Sequence, residues 1–111
     1  MYLESKADFD AAIEATKNGG APLIIDFTAS WCPPCKMIGP IFEGYAGKVG
    51  DGAVLKKLDV DNNSEGAQAA GIQAMPTFKV YKDGAEVETM QGANPAGLKT
   101  MVEKYSGKSM D

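Results

Sequence analysis

The sequence predicts an α/β fold in three layers, a mixed central sheet of about five strands between about four helices. Three observations predict it. Leu23-Ile24-Ile25-Asp26-Phe27-Thr28 is apolar on both faces apart from one carboxylate, the pattern of a strand buried at the centre of a sheet. A short turn, Trp31-Cys32-Pro33-Pro34-Cys35-Lys36, leads from it into a helical pattern. Asp83-Gly84 stands between two strand-like runs and signals a hairpin. At 111 residues the chain is read as one domain, residues 1–111.

Each element follows from local chemistry. Tyr2-Leu3-Glu4 reads as a short edge strand. Ser5 caps a first helix with Asp8 as its capping-box partner, and Phe9, Ala12, Ile13 and Thr16 follow at helical spacing. Asn18-Gly19-Gly20 stops that helix. The second helix is expected over Met37 to Val49, with Ile38, Ile41, Phe42 and Tyr45 on its apolar stripe and a kink at Pro40. Ala53 to Val60 is the next strand, and Glu65 to Ala70 a short helix closed by Gly71, which together complete a parallel β-α-β unit. Pro76 opens a strand from Thr77, paired through Asp83-Gly84 with Ala85 to Met90. Asn94 caps the last helix, Pro95 enters it, and Leu98, Met101, Val102 and Tyr105 line its inner face. Residues 106–111 are polar and expected to fray.

Composition narrows the function. The net charge is −4 and every basic residue is Lys, which lacks the basic face of a nucleic-acid binder. No apolar run approaches the ~20 residues of a membrane helix, and Met1 to Lys6 is too polar and short for a signal peptide. A cytoplasmic protein is therefore expected, and a monomer is expected beside it. No Gly-x-Gly-x-x-Gly or phosphate loop is present, so no bound cofactor is expected and electrons must come from a partner.

The two cysteines, Cys32 and Cys35, carry the chemistry. They sit where a buried strand becomes a helix, and unpaired N–H groups at a helix N-terminus favour a thiolate. Cys32, on the loop side, is expected to be the more exposed and more acidic thiol and is assigned as nucleophile. Cys35, one turn further in, resolves the mixed disulfide. The three-residue step brings the two sulfurs within bonding reach. Pro34 suits the first helical turn because its missing N–H is not needed there. Pro33 is less expected, since a residue before proline is pushed away from helical geometry. Zinc binding is the weaker reading: the chain has no other Cys and no His, so no metal site is expected. A purely structural disulfide across so short a loop removes little unfolded-state entropy. Cys-x-x-Cys beside a β-α-β pattern is itself an established redox signature.

Asp26 is costly inside a buried strand unless it is paired or protonated. Desolvation raises its pKa and suits it to accept the Cys35 proton; the alternative is a strand-end Asp turned to solvent. Trp31 adjoins the nucleophile and serves either as a contact surface or as ordinary packing. Gly92 suits a bulge or a close approach to substrate.

Asp26-Phe27-Thr28-Ala29-Ser30-Trp31-Cys32-Pro33-Pro34-Cys35-Lys36-Met37-Ile38 with Pro40 resembles the active-site segment of a thioredoxin. Lys57-Leu58-Asp59-Val60-Asp61 resembles its central strand, Ala74-Met75-Pro76-Thr77-Phe78 its cis-proline loop, and Gly84 and Gly92 its late hairpin. The Cys-Pro-Pro-Cys motif, with Pro33 in place of the usual Gly, is similar to cytosolic h-type thioredoxins of plants and algae. The resemblance implies the thioredoxin fold and a redox-active Cys32–Cys35 disulfide that reduces disulfides in target proteins. It also implies that Asp26 is buried, that Lys57 lies near it and modulates it, and that the Met75–Pro76 bond is cis. Trp31, Pro33, Pro34, Met75, Pro76 and Gly92 then receive the target chain, with the Met75 backbone pairing as a short added strand. A thioredoxin reductase using NADPH returns the pair to the dithiol. Two rivals remain at this point: an oxidase or isomerase resembling protein disulfide isomerase, and a binding module in which the cysteines are incidental.

Overall fold

A computed structural model describes all residues 1–111. The elements in chain order are α1 (Lys6–Glu14), β1 (Leu23–Thr28), α2 (Pro33–Ala46), β2 (Val54–Asp59), α3 (Ser64–Ala69), β3 (Thr77–Lys82), β4 (Ala85–Gln91) and α4 (Pro95–Ser106). The sheet has four strands in the order β2-β1-β3-β4. β1 runs parallel to β2 and antiparallel to β3, and β3 pairs antiparallel with β4. The mixed sheet is as expected, but the count of about five strands is corrected to four.

The missing strand is the first. Tyr2 makes only an isolated parallel bridge to Lys57, supported by Leu3 N–H donating to the Lys57 carbonyl at 2.8 Å and Lys57 N–H donating to that of Met1 at 2.9 Å. The chain then leaves the sheet because α1 is capped at once. Ser5 Oγ accepts from Asp8 N–H, and the Asp8 carboxylate takes the Glu4 N–H at 3.1 Å.

Strand alternation splits the core into two layers. From β1, Leu23, Ile25 and Phe27 pack with Phe9, Leu58 and Tyr81 beneath α1 and α3. Ile24 joins Ile38, Phe42, Phe78, Leu98 and Val102 beneath α2 and α4. Asp26 follows Ile24 by two and so shares the α2 face.

The second helix starts four residues earlier than its apolar stripe alone predicts and ends at Ala46, capped by Gly47. Its first turn is built from Pro33, Pro34 and Cys35. Cys32 is the N-cap, with extended backbone at φ −97° and ψ 107°. That is the geometry favoured before a proline, and neither Pro33 nor Pro34 is asked for an N–H it lacks. The tail expected to fray is docked instead. Met110 is buried against the α2–α4 layer, its N–H donates to Glu103 Oε2 at 2.8 Å and its carbonyl accepts from Lys48 Nζ at 3.3 Å. One apolar side chain three residues past the Gly107 stop outweighs the polar composition around it. No helix is long and apolar enough to cross a membrane.

Candidate active site

Cys32 and Cys35 are disulfide-bonded across the N-terminus of α2, with Cα atoms 5.3 Å apart. The Cys35 N–H points at Cys32 Sγ at 3.3 Å. This is an N-cap hydrogen bond in which sulfur takes the place usually held by a Ser or Asp oxygen. One of the helix's spare N–H donors is thereby aimed at the sulfur that would bear negative charge as a thiolate. The expectation that Cys32 is the more exposed residue is not met. Cys32 is 4 % and Cys35 3 % exposed, because Ala29, Val60 and Met75 pack around both. Position relative to the helix terminus, rather than exposure, distinguishes the two sulfurs in the oxidised pair.

Around this pair the surface is shaped by three loops. Trp31 is 62 % exposed, yet its ring is held: Nε1–H donates to Asp61 Oδ2 at 2.7 Å. Pro33 and Pro34 are exposed beside it. The Met75–Pro76 peptide is cis, Pro76 is buried, and Met75 packs on the disulfide. Thr77 Oγ1 donates to the Ala74 carbonyl at 2.6 Å and closes that loop. Gly92, at φ +94°, follows β4 and donates its N–H to the Pro76 carbonyl at 2.8 Å, so it ties the third loop to the second. A side chain there is strained by the left-handed backbone. The β3–β4 register shift falls at Val80/Tyr81 rather than at Gly92.

A titratable group of a different kind lies on the α2 face of the sheet. Asp26 is fully buried and neither carboxylate oxygen has a hydrogen-bond partner. Desolvation pushes its pKa up to about 7, opposed by the Lys57 charge and assisted by that of Glu43. Lys57 is the register partner of Asp26 on β2 and is 5 % exposed. Its Nζ donates to Glu43 Oε2 from α2. Burial by itself pulls the Lys57 pKa down, but the Glu43 hydrogen bond and the charges of Tyr2, Asp26 and Glu43 raise it above its ordinary value. A cleft of about 240 Å³ opens between α2 and the sheet, lined by Ser30, Cys35, Lys36, Glu43, Lys57 and Asp59 among others. Of the two cysteines, Cys35 lines this cleft. No cluster of three or more Cys, Asp or Glu side chains is placed to hold a metal.

Two partners escaped the sequence reading. Asp61 stands at the end of the segment that resembles a central strand, and Glu43 falls inside the second helix with no local signal of a role. The single trace of Glu43's role is Gly39, four residues earlier on the same face of α2. A Cβ at Gly39 would stand 3.2 Å from Lys57 Nζ, so the glycine leaves room for the lysine to reach Glu43.

With this geometry in view, comparison with known proteins is specific. The thioredoxin family profile matches residues 1–104. An H-type thioredoxin of Chlamydomonas reinhardtii is 47% identical over 110 residues, covering 96% of this chain and 94% of that protein. An H-type thioredoxin of Oryza sativa subsp. indica is 46% identical over 107 residues, covering 96% and 87%. Among solved structures, Plasmodium falciparum thioredoxin superposes with a TM-score of 0.84 at 42% identity, covering 94% of this chain and 97% of that one. Fasciola hepatica thioredoxin gives 0.86 at 37% identity, covering 95% and 99%. The chain therefore belongs to the thioredoxin family, and its Cys32–Cys35 disulfide is the redox-active pair of a thiol–disulfide oxidoreductase.

Proposed function

We propose that the dithiol form reduces disulfides in target proteins, with Cys32 as nucleophile and Cys35 as resolving thiol. The Cys32 thiolate attacks one sulfur of the target disulfide and expels the other as a thiolate. Cys35, deprotonated, attacks Cys32 Sγ, releases the second target sulfur and leaves the Cys32–Cys35 disulfide. Two electrons pass from the dithiol to the target, and the target thiolates take up the protons. The observation that carries this assignment is the Cys35 N–H directed at Cys32 Sγ at the N-terminus of α2.

Asp26 accepts the Cys35 proton through a bridging water, and Lys57 modulates its affinity for that proton. A carboxylate with a pKa near the working pH is suited to both taking and returning a proton. Trp31, Pro33, Pro34, Met75, Pro76 and Gly92 receive the target. The Met75 N–H and C=O form no hydrogen bond within the chain and are free to pair with an extended segment. A groove of about 440 Å³ beside Met75, lined by Val60, Ala67 and Ile72 among others, has room for an apolar side chain of that segment. The protein works as a cytoplasmic monomer without bound cofactor, and a thioredoxin reductase using NADPH restores the dithiol.

Two measurements test the reading. Cys32→Ser abolishes turnover of a disulfide substrate, whereas Cys35→Ser accumulates mixed disulfides visible on non-reducing gels; turnover by Cys32→Ser would reduce the cysteines to bystanders. The reduction potential of the pair, measured against thiol buffers with Trp31 fluorescence, is expected below that of the cytosolic glutathione pool. A value near that of the endoplasmic reticulum would replace the reductase with an oxidase or isomerase.

A further inference from the structure

The Lys57 ammonium stands beside Asp26 in the sheet register, yet it spends its hydrogen bond elsewhere. Lys57 Nζ donates to Glu43, while both Asp26 oxygens have no partner at all. A buried carboxylate next to a buried ammonium would ordinarily form the ion pair itself. Here the lysine is directed to the Glu43 carboxylate on α2, past the space left by Gly39. We propose that Glu43 is a positioning residue: by holding the Lys57 ammonium at its own carboxylate, it keeps Asp26 unpaired and so sets the pH at which Asp26 gives up its proton.

The groups around Asp26 leave few alternatives for that part. From β2 comes Lys57; Lys56 points to the opposite face of the sheet. From α2 come Glu43, Cys35 and Lys36, the last exposed at the cleft mouth with Asp59. From the N-terminal segment Tyr2 lays its ring 5.6 Å from Lys57 Nζ. The β3 residue in register with Asp26 is the apolar Phe78. Lys57 is the only cation in this set whose charge is buried with Asp26, and Glu43 is its only anionic hydrogen-bond partner. Two effects of Glu43 then act in the same direction: its own negative charge disfavours a second anion at Asp26, and its hold on Lys57 withdraws the one positive charge that favours it. Burial is the main cause of the rise of the Asp26 pKa to about 7; the Lys57 charge opposes it and the Glu43 charge adds to it.

The consequence is a test at a site away from the cysteines. Glu43 is half exposed on the helix surface, so E43Q and E43A are both compatible with folding. The Asp26 side-chain carboxyl is followed by carbon NMR across pH in the oxidised full-length protein. In E43Q and E43A its midpoint is expected to fall by about one pH unit or more, as Lys57 turns to the only remaining carboxylate. E43D keeps the wild-type midpoint. In a K57M background, E43Q produces a clearly smaller shift, because the held charge is gone. An unmoved Asp26 midpoint in folded E43Q and E43A would overturn the inference, and so would an equal shift with and without Lys57. The inference rests on the proposed proton-acceptor role of Asp26 for its catalytic meaning, and the two fail separately. If the Asp26 midpoint moves but the pH profile of mixed-disulfide resolution does not, Glu43 sets Asp26 as proposed and Asp26 is not the acceptor.

Discussion

Asp26 ties stability to pH through a single carboxyl group. Its folded pKa lies at about 7 against 3.8 for the ordinary side chain, so between those values the folded state holds a proton that the unfolded chain has lost. The contribution of this group to stability is therefore full below about pH 4, falls as pH rises through about 7, and levels off above it. The difference corresponds to on the order of 4 kcal/mol against the charged form. Asp26→Asn is expected to match the wild type in urea unfolding near pH 4, to exceed it by a few kcal/mol at pH 8, and to slow mixed-disulfide resolution. A variant no more stable than the wild type at pH 8 would show that the buried carboxyl is solvated in solution. At Trp31 a different residue-scale bond operates. Loss of the Asp61 acceptor in Asp61→Ala frees the exposed indole, and faster ring motion is expected in Trp31 fluorescence anisotropy, with a stability change of roughly 1 kcal/mol or less.

Helix termini decide where the elements begin, and three of them use a side-chain cap of the ordinary kind. Ser5, Asn63 and Asn94 accept from the N–H three residues on. Asn63 does more than cap. It is buried, Oδ1 takes the Gly66 N–H, and Nδ2 donates to the Leu3 carbonyl at 3.0 Å, so the start of α3 is bound to the N-terminal segment. Asn63→Ala removes the cap and leaves a buried carbonyl unpaired. It is expected to cost about 2–3 kcal/mol by chemical denaturation, against about 1 kcal/mol for Asn94→Ala at an exposed cap. Equal losses at the two positions would mean that the Leu3 bond contributes nothing. At α2 the cap is a reactive sulfur, which joins the element that starts the helix to the group that does the chemistry.

The whole molecule is a sheet with a core on each face, and the two faces carry different duties. The layer under α1 and α3 is built mainly of apolar side chains, with the buried Lys79 paired to Glu86 at its β3 side. The layer under α2 and α4 contains the large side chains of Phe42 and Phe78, ring centroids 5.8 Å apart, and also the Asp26–Lys57–Glu43 group. Phe42→Ala opens that layer directly behind the catalytic turn and is expected to cost about 3–5 kcal/mol. The C-terminal tail closes the same layer. Met110→Ala is expected to lower the unfolding free energy by about 2 kcal/mol while leaving disulfide exchange at Cys32 unchanged; a neutral effect on stability would mean that the tail is a passive appendage.

Local pattern alone determined much of this protein. The buried run of β1, the Asp83-Gly84 turn, the Asn94-Pro95 helix start and the Cys-x-x-Cys turn are all short-range signals. Each depends on neighbours in sequence, through backbone preference or side-chain periodicity. Where a statement depended on what lies across the molecule, the sequence was silent or misleading. Tyr2 to Glu4 has a strand-like composition, but the capping of α1 cuts its pairing to one bridge. Residues 106–111 are polar, but a single buried Met110 docks them. Cys32 is on the loop side of its helix, but Met75, forty-three residues further on, covers it. Glu43 is an ordinary helix-surface residue until β2 brings Lys57 beneath it. Burial and charge pairing are set by contacts between distant segments, and those contacts form only when the sheet closes.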